Sequence, residues 1–190
     1  MTKYILTDKA VVHAMDFAIR AHGTQTRKNG TTLYVTHPIG VAQMVADNGG
    51  DKVQVIAALL HDVIEDCEDV GYADVASEFG QEVADMVQDL TNTSKLQRPD
   101  LNRAGRKELD AKRLATVALR SQFVKLCDIL YNVSDLDGMD SGFIVKFLKE
   151  KRYQTETMTS NWGSQDVEPN MCGLRTACLF RIQSELDKRL

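Results

Sequence analysis

The sequence predicts an all-α fold, a bundle of about eight to ten helices, and two observations carry that prediction. Apolar residues recur at helical spacing along nearly the whole chain, with almost no alternating stretch that would mark a strand. Capping residues and glycines then cut this pattern into pieces of helix length. With 190 residues, 43% hydrophobic and 26% charged, the chain is long and apolar enough to bury one core, so a single domain over residues 1–190 is expected. Three prolines and twelve glycines exclude collagen-like and low-complexity chains.

Thr7 and Asp8 cap a first helix carrying Val11, Val12, Met15, Phe17, Ala18 and Ile19, which Gly23 ends. From Thr24 to Tyr34, the run Arg27-Lys28-Asn29-Gly30 and several threonines suit a small hairpin turning at Asn29-Gly30. His37-Pro38 opens a second helix through Ala46, closed by Asn48-Gly49-Gly50. Asp51 caps a third helix, expected to run to about Asp66. Shorter helices follow over Tyr72 to Phe79 and Gln81 to Leu90, with Gly80 between them and the polar run Thr91 to Ser94 after. Beyond the Pro99 loop come helices near Arg106 to Leu119, Gln122 to Leu136, Ser141 to Thr159 and Pro169 to Leu190. The last two, with Trp162 between them, are expected to cover the bundle formed by residues 7–136.

A net charge of −4 and a pI near 5.6 argue against a surface that tracks nucleic acid, which is usually strongly basic. Residues 95–113 hold seven basic and three acidic side chains, read as a solvated loop and helix face. The alternative is that Arg106, Lys112 or Arg113 meets substrate phosphates. The cysteines Cys67, Cys127, Cys172 and Cys178 form no C-x-x-C pair and no zinc-ribbon spacing, so they read as reduced thiols without catalytic use. The N-terminus has no signal-peptide run, and no stretch approaches the ~20 apolar residues of a membrane span. A cytoplasmic protein with no membrane partner is expected.

The third helix carries the chemistry. Val53, Val55, Ile56, Leu59, Leu60, Val63 and Ile64 spread around nearly its whole circumference, the mark of a buried helix. Yet His61, Asp62, Glu65 and Asp66 crowd one arc of about 140° near its end, since i, i+3 and i+4 neighbours share a face. Carboxylates there face the negative end of the helix dipole, repel one another and need partners. A divalent cation resolves all three costs; emergence of the helix end into water is the plainer reading. Two further residues favour the cation: His37 at a rigid loop-to-helix junction, and Asp128 on a polar stripe with Lys125 and Asn132. Two imidazoles and two carboxylates suit Mn²⁺, Fe²⁺ or Zn²⁺ with positions left for water and substrate. His13 reads as an ordinary packed or surface histidine, and His22 as a structural hydrogen-bonding one.

The order H…HD…D, with His61 24 residues after His37 and Asp128 66 after Asp62, resembles that of the HD-domain metal-dependent phosphohydrolases. More narrowly, the chain is similar to the Rel/SpoT hydrolase domain and the small alarmone hydrolases, which remove the 3′-pyrophosphate of ppGpp. The matching stretches are Ala21-His22 with Gln25 and Arg27 to Gly30, Tyr34 to Pro38, Ala58 to Asp66, Glu78 to Gly80 with Val83 and Leu90-Thr91, and Lys125 to Asn132. Each is weak alone; in this order and spacing they are specific.

That resemblance implies an HD-domain helical bundle with His37, His61, Asp62 and Asp128 as ligands of one divalent metal per chain, usually Mn²⁺ in this family, with Fe²⁺ and Zn²⁺ as the other candidates. It implies Glu65 and Asp66 as the acidic pair that positions and deprotonates the attacking water. It also implies that Arg27, Lys28 and Asn132 bind the nucleotide. The chain departs from the long bifunctional enzymes in a loop from Arg27 to His37 that is one residue longer, and in Ile129, Tyr131 and Val133-Ser134. Small bacterial and phage-encoded relatives run closer to Lys125 to Asn132, which leaves the base open between guanosine and adenosine. An HD phosphohydrolase of another nucleotide and a non-catalytic nucleotide-binding module are the alternatives.

Overall fold

A computed structural model describes residues 7–27, 30–136, 138–164 and 167–189. Among them every regular element is helical, and the only pairing of extended backbone is a single antiparallel bridge, Thr26 to Leu33. The chain forms two compact units, Met1–Thr91 and Asn92–Leu190.

In the first unit, α1 (Lys9–His22) starts where the Asp8 side chain accepts from the Ala10 amide at 2.9 Å. It buries Val11, Ala14, Ala18 and His22 along one stripe. It ends at Gly23, whose positive φ of 50° and amide bond to the Ile19 carbonyl turn the chain away. The expected hairpin is reduced to that one bridge, tied by Arg27 N–H to the Thr32 carbonyl and Tyr34 N–H to the Gln25 carbonyl, both 2.8 Å. Lys28 and Asn29, at its expected turn, lie outside the described residues. α2 (Thr36–Asp47) follows.

α3 (Lys52–Leu60) opens with a capping box in which Asp51 and Gln54 exchange side-chain to backbone bonds, each 3.0 Å. Every residue from Gln54 to Leu60 is buried, and α3 packs against α1 and α2. Two further helices, α5 (Tyr72–Phe79) and α6 (Gln81–Leu90), pack on each other across Gly80, and α6 also packs on α3.

The third helix does not run unbroken to Asp66. It stops at Leu60, turns at His61-Asp62 and resumes as the single turn α4 (Val63–Asp66). At this point the Ala58 carbonyl accepts from His61 Nδ1–H at 2.7 Å.

The second unit contains the short α7 (Ser94–Gln97), α8 (Arg103–Leu114), α9 (Leu119–Ser134), α10 (Ser141–Met158) and α11 (Pro169–Asp187), with a 3₁₀ turn at Trp162–Ser164. α9 is its spine: Ser121 to Ile129 are all buried, and α10 and α11 pack on it and on each other. α8 begins and ends earlier than the sequence suggested, because Asn102 accepts from the Gly105 amide as its cap. The following turn is tied down by Gln122, which donates to the Leu114 and Val117 carbonyls and accepts from Trp162 Nε1–H at 2.6 Å. In the basic segment, Arg98 pairs with Asp100, Arg103 with Glu150, and Lys112 with Glu108. Arg106 donates to the Leu101 carbonyl.

No helix among the described residues is long and apolar enough to cross a membrane. All four cysteines are free thiols, and burial pushes Cys67 up to about 11 and Cys178 up to about 12, which keeps both protonated. His13 is a surface histidine whose Nε2 lies 2.6 Å from Glu78 Oε1.

The packing predicts that Leu60→Ala, at a fully buried site on α3, costs about 2–5 kcal/mol in chemical denaturation. Phe180→Ala, 75% exposed on α11, should change stability by less than about 0.5 kcal/mol. Glu185 on α11 pairs with Lys188 at 2.7 Å and with Arg189, which hold its carboxyl below the ordinary range. A carboxyl lowered on folding stabilises above its unfolded value and loses that contribution as pH falls through the folded one. Glu185→Gln is therefore expected to cost about 1 kcal/mol at pH 7, and the gap from the unsubstituted chain should close below about pH 4.

Candidate active site

Two pieces of local structure aim the first unit's metal-type side chains. His61 sits in the turn after α3, and its Nδ1–H bond to Ala58 fixes the neutral tautomer, which leaves the lone pair on Nε2. His37 lies in the first turn of α2, 4% exposed, with its ring centroid 5.2 Å from that of His61. Between them, Asp62 Oδ2 stands 3.1 Å from His61 Nε2 and 3.8 Å from His37 Nε2.

This arrangement tests whether a metal fits. A neutral His61 presents its Nε2 lone pair to a carboxylate oxygen 3.1 Å away, so two acceptors face each other in a largely buried setting. A proton or a cation must lie between them. Two imidazole nitrogens and one carboxylate oxygen are a donor set suited to a divalent first-row metal, and the residues fit one.

The acidic pair occupies the next turn. Glu65 and Asp66 lie on α4 at the solvent side. Desolvation raises the Asp66 carboxyl above the usual range and the Asp62 charge adds to it. The Asp66 carbonyl accepts from Gln25 Nε2 at 2.8 Å, and the Gln25 Oε1 left facing inward bonds His22 Nδ1 at 2.9 Å. His22 thus has a structural hydrogen-bonding role, bracing the loop against α4.

Sequence reasoning passed over Tyr34 as a site residue. Its hydroxyl donates to Asp62 Oδ2 at 2.6 Å, a partner 28 residues away that no spacing rule reveals. Arg27 is half-buried at the base of its loop, and Lys28, the other expected nucleotide contact, lies outside the described residues.

In the second unit, Asp128 is 4% exposed on α9, and its Oδ2 is 2.7 Å from Nζ of the equally buried Lys125. A buried lysine beside a buried carboxylate offsets the desolvation of both. Lys125 was legible only as a neighbour on the polar stripe. Asn132, one turn on, donates its amide to the Asp128 carbonyl oxygen at 3.0 Å and to its carboxylate. The first unit therefore gathers His37, His61 and Asp62 with Tyr34, and the second holds Asp128 with Lys125 and Asn132.

The HD domain family matches residues 14–158. A human protein named guanosine-3′,5′-bis(diphosphate) 3′-pyrophosphohydrolase MESH1 is 38% identical over 130 residues, 67% of this chain and 69% of the relative. The Xenopus tropicalis protein of the same name is 34% identical over 129 residues, 66% of this chain and 69% of its own length. A solved structure of a metazoan ortholog of SpoT that hydrolyses ppGpp shares the fold, with a TM-score of 0.73, 24% identity and 96% of each chain covered. With the H…HD…D residues in order and the all-α fold in place, the chain belongs to the HD-domain family, in the branch of the guanosine-3′,5′-bis(diphosphate) 3′-pyrophosphohydrolases.

Proposed function

We propose that this chain is a Mn²⁺-dependent hydrolase that removes the 3′-pyrophosphate of a guanosine or adenosine alarmone, giving pyrophosphate and the parent nucleotide. The observation that carries this reading is the convergence of His37 Nε2, His61 Nε2 and Asp62 Oδ2, with an acidic pair one turn beyond. Asp128 serves as the fourth ligand, as its place in the H…HD…D order implies, and the two units act as one HD domain. The family match at 14–158 runs through the boundary between them and supports that reading. The cytoplasm is the proposed compartment, where four free cysteines are at home.

A divalent cation held by these ligands supplies Lewis acidity to a phosphoryl oxygen and lowers the pKa of a water. The protein's own groups do the rest. Glu65 and Asp66 orient the water and take its proton; the water oxygen bonds to the 3′-linked phosphorus, the bond to the 3′-oxygen breaks, and that oxygen leaves with a proton as the hydroxyl. A carboxyl held above the ordinary range is closer in basicity to its task at neutral pH than a fully solvated one. Arg27, with a planar guanidinium, is placed to stack on a base or fork onto phosphate, and Lys28 and Asn132 complete the nucleotide contacts.

The test is pyrophosphate release by metal-stripped protein, with and without Mn²⁺, from ppGpp, pppGpp and ppApp in parallel. Release that requires Mn²⁺ and disappears in Asp62→Ala is expected, and the best substrate identifies the base. Silence on all three with Mn²⁺ bound would overturn the alarmone assignment. Asp66→Asn is expected to lower kcat by about 10²–10⁴-fold with Mn²⁺ affinity kept.

A further inference from the structure

Building on the metal-hydrolase reading, we infer that Tyr34 is a positioning residue whose hydroxyl holds the Asp62 carboxylate in line with the two imidazoles. The support for Tyr34 begins in its backbone. Its N–H donates to the Gln25 carbonyl at 2.8 Å and its own carbonyl accepts from the His37 amide at 2.9 Å, which pins the residue between the loop base and α2. Its ring lies 5.0 Å from the His22 ring and 5.9 Å, edge-on, from that of His37. These two rings flank the phenol, and its hydroxyl ends 2.6 Å from Asp62 Oδ2. That distance is typical of a charge-assisted O–H to carboxylate bond, among the stronger kinds in proteins.

The choice of oxygen matters. Oδ2 is the atom that also faces His61 Nε2 at 3.1 Å and His37 Nε2 at 3.8 Å. Asp62 sits in the turn between α3 and α4, at φ −105° and ψ −5°, where the backbone alone does not fix its side chain. The Tyr34 bond supplies the missing constraint and settles which oxygen meets the imidazoles.

Two variants of the full chain separate the hydroxyl from the ring. In metal-stripped protein titrated with Mn²⁺ by calorimetry, Tyr34→Phe is expected to bind about tenfold more weakly, with a smaller loss of metal-free melting temperature than Tyr34→Leu shows. In turnover it should lower kcat more than it alters KM. Tyr34→Leu should lose the metal-free melting temperature as well, because the ring packing goes. If Tyr34→Phe binds Mn²⁺ like the unsubstituted chain and only Tyr34→Leu fails, the ring matters rather than the hydroxyl and the inference is overturned. Weaker binding with a metal-free melting temperature as low as that of Tyr34→Leu overturns it too. If the unsubstituted chain binds no Mn²⁺ at all, the metal reading falls first and this inference falls with it.

Discussion

One hydrogen bond organises the first unit's chemistry: His61 Nδ1–H to the Ala58 carbonyl, 2.7 Å long. It forms at the point where α3 stops, and so belongs to the break that frees Asp62 from helical geometry. It also decides that, in the neutral imidazole, the inward-facing Nε2 keeps the lone pair. Folding and coordination chemistry meet in the same bond. Without the turn, His61 and Asp62 would continue the register of α3, and their side chains would be set by helical spacing alone.

That bond holds only because its surroundings are rigid. α3 is buried from Gln54 to Leu60 and walled by α1, α2 and α6, so the carbonyl of Ala58 has little room to shift. Charged and polar groups then appear where the apolar wall ends. In the second unit α9 follows the same plan: a run of buried residues from Ser121 to Ile129 carries Asp128 inside, with Lys125 beside it as a counter-charge. In both units an apolar scaffold fixes the polar cluster, and in the second the Lys125–Asp128 pair offsets its desolvation.

Much of this was legible in the residues. α5 and α6 have the expected bounds, because Gly80 is a breaker that no helix interior absorbs cheaply. The His37, His61 and Asp62 cluster was legible because an apolar helix ending in ionisable groups is costly without a partner. The break at His61 was not, since the apolar pattern continues through Val63 and Ile64 and neither His nor Asp forbids a helix. Asn102 was hidden in the Pro99 loop, where an asparagine reads equally well as turn or cap. Tyr34 escaped for a different reason: its partner is distant in sequence, and tertiary hydrogen bonds leave no periodic trace.

The loop after α1 is closed at its base. Two main-chain bonds, Arg27 to Thr32 and Tyr34 to Gln25, fix the register of everything that follows, including Tyr34 and His37. The closed base therefore helps to set where the Tyr34 hydroxyl and the His37 ring stand, so a loop that reads as a simple connection takes part in shaping the cluster.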